Sequence, residues 1–327
     1  MFIIIRKQVI LYISLLSIIT FSPVSLTKCL SQDDQGKEDD FYFRMNEKEK
    51  RLAEFRDDDS ALNLKIIQLG VINRSRKKFN APPVKLDILA SRVANKMCSE
   101  AAREGYIGHW NLAGEEPYLR YAFAGGQDHI SENIYGEWSS EPFGISDQAI
   151  LSGMKEGHMK FMAEKAPANG HKMNIIEKSH NWIGIGFAVY GKQFRYSEEF
   201  IDRYLDFENI PEELKPGEKS TLTIKPGDGN FLYFMIIYRQ KFPEPVRVSE
   251  LNRRGSYRDF TDEQYKTFTA WELSKFRNGD RYLIPVSFSK EGLYYIQIYS
   301  DRKEITRPAS ISTKGKTPES GIVIKVR

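Results

Sequence analysis

Every histidine of this 327-residue chain, five in all, lies between His109 and His180. Two stand beside turn-forming residues: His109 in GHW and His171 in NGHKMNII, where an Asn-Gly pair precedes it. Between them come Glu132 in SENIYG and Glu156 in MKEGH. Two imidazoles and two carboxylates gathered in one cleft are a donor mix suited to a divalent metal, zinc first, and two histidine ligands leave positions open for water. Such an ion lowers the pKa of bound water, and Glu132 or Glu156 would then act as general base. Plainer readings stand beside this one. A His near a turn often only satisfies hydrogen bonds, Glu132 could accept backbone donors in a turn, and Glu156 on a helix face could form a surface ion pair.

The other histidines have structural readings. His158 shares a helical stripe with Ile150 and Met154 and is expected in the core. His180 in EKSHNW reads as a turn residue, and His129 would lie on the opposite face from Glu132 if that segment is extended. Asn133 and Asn174 closely follow site residues and could orient backbone through their amides. Tyr106, Trp110, Tyr118 and Tyr135 either line a groove or edge the core.

These residues need a scaffold, and the pattern supplies one. Ser60 can cap a helix with Leu62, Ile66 and Leu69 on one stripe, ending in the basic run RSRKK before APP. A second helix runs from Asp87 with Leu89, Val93, Met97 and Ala101 on one face, and Gly105 is placed to stop it. A third starts near Ser146 and ends before Pro167, while NWIGIGFAVYG reads as a buried strand. Helices and strands interleave to about Tyr204, which predicts a helix-covered sheet. Beyond IPEELKPGEK the runs STLTI, FLYFMIIY, YLIPVSF, GLYYIQIY and GIVIKV predict an all-β sandwich of immunoglobulin-like architecture. Between the second and third runs a long aromatic and charged excursion is expected, with a short helix.

At the N-terminus, Arg6 and Lys7 precede the thirteen-residue apolar core VILYISLLSIITF, which reads over 1–28 as a secretory signal or an N-terminal anchor. Residues 29–60 are dominated by charge and read as a solvated linker or frayed helix. With only Cys29 and Cys98, disulfides do not organise an exported chain of this size. A net charge of +4 with both signs interleaved points to no nucleic-acid partner, and nothing after the leader reads as a membrane span.

The order His, Glu-Asn-Ile, helical Glu, Gly-His-x-x-Asn-Ile, Ile-Gly-Ile-Gly resembles the CAP superfamily of cysteine-rich secretory, antigen and pathogenesis-related proteins, with their SCP-like extracellular domain. INRSRKKFNAPPVKLD, GHWNLAGEEPYLRYAFAGG, AILSGMKE, NGHKMNII and WIGIGFAVYG carry the likeness, in the manner of bacterial-type members that lack the disulfides. The resemblance implies an α-β-α sandwich over 61–207, with His109, Glu132, Glu156 and His171 as a central tetrad and the two histidines able to bind a divalent metal. Gly153 and Met154 stand where the family usually has aromatics, and Ser131 replaces a common glycine. The fold class expected is therefore α+β, a CAP-like α-β-α sandwich followed by a β-sandwich over 211–327.

Three functions follow as expectations. The first is a secreted or cell-surface protein whose cleft binds metal and an extracellular lipid, glycan or peptide. The second is a metal-dependent hydrolase, for which no nucleophile elbow or H-E-x-x-H helix is present. The third is an adhesion protein that meets a protein partner through the β-sandwich.

Overall fold

The computed structural model describes residues 32–258 and 263–327, so the expected leader lies outside the described residues. The contacts below belong to the compact unit Asp39–Arg327. In chain order the first half carries α1 (Gln32–Lys48), α2 (Asp59–Lys78), β1 (Lys85–Leu86), α3 (Ile88–Glu104), α4 (Pro117–Phe123), β2 (His129–Trp138), α5 (Asp147–Ala163), α6 (Gly170–Ile176), β3 (Trp182–Tyr190) and β4 (Gln193–Asp202). The expected helix boundaries hold where a cap specifies them. Asp87 accepts from Ala90 N to start α3, Gly105 ends it in the left-handed conformation (φ 75°), and Ser146 caps α5. For α2 the cap is Asp58 rather than Ser60, whose hydroxyl instead donates to Asp147.

The four strands form one sheet in the order β1-β3-β4-β2. Alternation sends Ile183 and Ile185 into a core with Leu62, Leu69 and Ile72 of α2 and Met154 and Phe161 of α5. The other face packs on α3, and the Ile-Gly-Ile-Gly run explains how closely: a Cβ on Gly186 would lie 2.4 Å from the backbone of Ala94, and one on Gly184 2.5 Å from that of Ala90. These are the three layers α-β-α.

Residues from Tyr42 onward do not form the solvated linker that their charge suggested. Tyr42, Asn46 and Asp57 are buried. Charge there is structural rather than solvating: Lys65 reaches Asp57 at 2.7 Å, and Arg92 donates to the carbonyls of Asn46, Glu49 and Arg51. Buried cations from α2 and α3 thus fasten the segment down, a tertiary effect that local composition cannot report.

The second half comprises β5 (Leu205–Glu208), β6 (Glu213–Leu214), β7 (Lys219–Pro226), β8 (Phe231–Gln240), α7 (Val248–Leu251), β9 (Gln264–Thr269), α8 (Ala270–Leu273), β10 (Arg277–Asn278), β11 (Arg281–Ser287), β12 (Gly292–Asp301) and β13 (Ile322–Val326). Two sheets, β10-β11-β7-β5 and β6-β13-β12-β8-β9, form a sandwich. Tyr294, Ile296 and Ile298 point into its core, as their alternation predicts. The opposite face of β12 is also covered, because Leu293 and Tyr295 pack with Tyr118, Ile130 and Ile201 of the first half. The chain is thus α+β, an α-β-α sandwich joined to a β-sandwich through a shared apolar cluster.

Glu319, just before β13, lies at this junction. Burial, opposed by the hydroxyl of Ser300 and reinforced by the charge of Asp202, pushes its carboxyl from an ordinary 4.5 up to about 7. A raised folded pKa means stability that is present below pH 4.5 and lost as pH rises through 7. Between pH 5 and pH 8 this group should cost about 2 kcal/mol, the full shift being trimmed because the residue is only half-buried. Urea unfolding at the two pH values should show Glu319→Gln flattening the decline; equal slopes in both proteins would remove the assignment.

Candidate functional site

One side of the site is built on the loop that follows α3. Gly105 turns the chain out of the helix, and Pro117 at the start of α4 turns it back, leaving His109 between them. Arg120, buried in α4, holds this loop: it donates to the carbonyls of His109 (2.5 Å) and Glu115 (3.1 Å). Its other nitrogen reaches Glu132 Oε2 at 2.5 Å, while Glu132 Oε1 lies 2.8 Å from His109 Nδ1. Directly across the sheet from Glu132 stands Glu199 of β4, fully buried and 3.8 Å from Arg120.

Burial opposes charge on both carboxyls, but their partners separate them. Arg120 and then His109 hold Glu132 below the usual range. Glu199, destabilised first by burial and then by the charge of Glu132, is raised well above it. The pair is therefore an ionised Glu132 beside a neutral Glu199. With Glu132 as acceptor, the hydrogen-bond network assigns the His109 proton to Nδ1 and leaves Nε2 with its lone pair.

The other side is built on the turn between α5 and α6. Glu164, the residue that ends α5, places Oε1 2.5 Å from His171 Nδ1 and accepts the His171 backbone N–H at 3.0 Å. Asn133 donates to the His171 carbonyl and accepts from Asn174, so both asparagines orient backbone or each other at this point. Arg76, buried beneath α6, donates to the carbonyls of Ile175, Glu177 and His180 and fixes the end of that helix. Ser131 donates to Asn174, a bond that a glycine at this position could not make.

These two sides lie on opposite faces of the sheet and meet around its free edge. β2 is the outermost strand, and its alternation turns Glu132 toward α4 and Asn133 toward α6. The resulting cleft, about 470 Å³, is lined by His109, Glu132, Glu164, His171, Asn174 and Tyr257 among others. The structure thus brings together three of the four expected residues. Glu156 is corrected: its side chain is 51% exposed and pairs with Lys160 at 2.9 Å on the outside of α5. Met154, His158 and Phe161 set the buried face of that helix, so a residue two positions after Met154 points away.

His158 is a core residue, held by Glu198 and Ser75. His129 lines the cleft on the face opposite Glu132, with Nδ1 on Asp202. His180 directly follows the turn at 178–179 and is buried, bridging Asp202 and Asn174. Tyr106 and Tyr118 are core residues, as their plainer reading held. Phe143 and Phe194 stack at 4.8 Å beside Gly153.

Sequence reasoning missed Glu164, Arg120 and Tyr257. Arg120 had one signal, being the only cation in the apolar helix PYLRYAF; Tyr257 had none, since it arrives from the other half of the chain.

For a divalent metal the donor chemistry fits in part. His109 and His171 each have Nδ1 on a carboxylate, the outer arrangement that metal-binding imidazoles require. Among the described residues, however, no group of three or more His, Cys, Asp or Glu side chains is arranged to hold an ion. Any ion would have these two imidazoles as protein ligands and solvent or a bound molecule elsewhere.

No family model matches this sequence, and no curated protein does. Among solved structures the chain is similar to an extracellular protein containing a SCP domain from Bacillus anthracis, at 18% identity over 42% of this chain and 39% of that one, TM-score 0.32. It is similar also to an outer surface protein from Borrelia burgdorferi, at 18% identity over 43% and 93%, TM-score 0.33. A third is the CAP domain of enterococcal PrgA, at 13% identity over 56% and 82%, TM-score 0.35. The chain spans about two fifths of the Bacillus anthracis protein. The arrangement of its own helices and sheet makes the first half of this chain a three-layer α-β-α sandwich.

Proposed function

We propose that this is an exported, extracellular or cell-surface binding protein whose cleft takes a polar ligand, with a divalent metal, zinc first, held between His109 and His171. The observation that supports it is the pairing of both imidazoles, at one cleft, with carboxylates on Nδ1. That leaves the Nε2 atoms to bind. A glycan or peptide is matched by the polar atoms that His129, Ser131, Asn133, Asn174, Ser256 and Tyr257 bring to the cleft. Export rests on the charged and apolar pattern of the first residues, and no helix among the described residues is long and apolar enough to cross a membrane.

Hydrolysis has less support. Both oxygens of Glu132 are engaged, and its lowered pKa makes it a weak base. Glu156 is remote from the cleft.

Titration calorimetry with zinc alone tests the reading. The purified protein should take up about one equivalent, and the variant carrying His109→Ala and His171→Ala should take up none. Silence from the parent, or equal uptake by the variant, would overturn it.

A further inference from the structure

The connection between β8 and β9 leaves the β-sandwich and crosses onto the loop that bears His109. Val246 N donates to the Leu112 carbonyl at 2.8 Å, and Ile107 N donates to Asn252 Oδ1 at 3.1 Å. Leu251 of α7 is buried beside Met97, Tyr106 and Ile134, and its carbonyl approaches Gly108. Arg254 lies over the Trp110 ring at 5.0 Å. The crossing ends at the cleft itself, where the Tyr257 ring sits 4.9 Å from the His109 ring and its hydroxyl accepts the backbone N–H of Glu132 at 2.9 Å. Ser256 and Tyr257 line the cleft together with both candidate metal-binding histidines.

We infer that the binding site is composite: the C-terminal half supplies one wall of the cleft, and Tyr257 is both the positioning residue for His109 and the aromatic surface that a bound ligand meets. This rests on the binding function proposed above. The physical basis is that one hydrogen bond, to Glu132, leaves the imidazole free to rock about that contact. The Tyr257 ring, packed against the imidazole at a 55° tilt, restricts the remaining motion, so the direction of Nε2 depends on Tyr257. A phenol with a carbon face and a polar rim also suits a glycan or peptide backbone better than an acyl chain. The β-sandwich is then part of the binding machinery rather than a spacer, and what enters the cleft depends on both halves.

The experiment uses the full chain with labelled histidine and compares Tyr257→Phe and Tyr257→Leu with the parent. Without any metal, the His109 ring resonances should move in Tyr257→Leu, where the ring current is lost, and stay near the parent in Tyr257→Phe. His158, remote and buried, serves as the fixed reference. Zinc affinity should fall about tenfold in Tyr257→Leu and less than threefold in Tyr257→Phe. Unmoved His109 resonances in a folded Tyr257→Leu, or undiminished zinc affinity in it, would overturn the inference. A parent that binds no zinc would sink the metal reading alone, because the ring resonances still decide whether Tyr257 positions His109.

Discussion

Arg120→Met should destabilise the protein by about 3–5 kcal/mol, the range for removing one partner of a buried ion pair. The cation is 4% exposed at its side chain, and the side chain of Glu132 beside it is fully buried. Loss of the guanidinium leaves Glu132 and Glu199 as adjacent buried carboxyls and frees the carbonyls of His109 and Glu115. Lysine should not rescue the variant, because a single ammonium cannot reproduce the two-pronged hold on loop and strand. Adding Glu132→Gln should recover 1 kcal/mol or more, roughly, since it removes the stranded charge.

The pH dependence carries a sign. In the parent, Arg120 and His109 hold Glu132 below its ordinary 4.5, so their contribution is present above that value and lost as pH falls through the folded one. The deficit of Arg120→Met should therefore narrow in acid. Denaturant unfolding at pH 7 and at pH 3 reads both effects; a loss under 1 kcal/mol at pH 7, roughly, would mean that the buried pair does not carry the strand and loop as described.

Arg76→Met should cost a similar amount, about 3–5 kcal/mol, by a different route. The fully buried Arg76 satisfies four backbone carbonyls, those of Pro82, Ile175, Glu177 and His180. Each acceptor left dry costs about 1–3 kcal/mol, and entry of water into the turn after α6 reduces the sum. Because three of the four lie at the end of α6, the damage should concentrate there. Hydrogen exchange should accelerate over residues 170–180 beyond what the global loss explains, while α3 follows the global value. Uniform acceleration would show that Arg76 supports the whole fold rather than the helix that carries His171.

Local chemistry determined much of this protein. The caps at Asp87 and Ser146, the stop at Gly105, the strand alternation of GLYYIQIY and the close-packed IGIG run each act over a few residues. Those signals were enough to read an α+β chain with helices over a sheet and a β-sandwich after it. His109 and His171 each stand where a short stretch passes between regular structure and turn, whereas Glu132 lies inside β2 and was singled out by the order of motifs along the chain.

Tertiary structure alone decided the rest. The rotation of α5 is set by what Met154, His158 and Phe161 pack against, and this turns Glu156 to solvent and leaves Glu164 as the partner of His171. The charged stretch after Tyr42 is docked because Arg92 and Lys65, distant in sequence, need acceptors in a buried setting. Arg120 and Tyr257 reach the cleft because α4 and the β8–β9 connection fold back onto β2, the one strand of its sheet whose outer edge faces the histidines. Desolvation and packing act between segments that meet only after folding, so no window of sequence contains them.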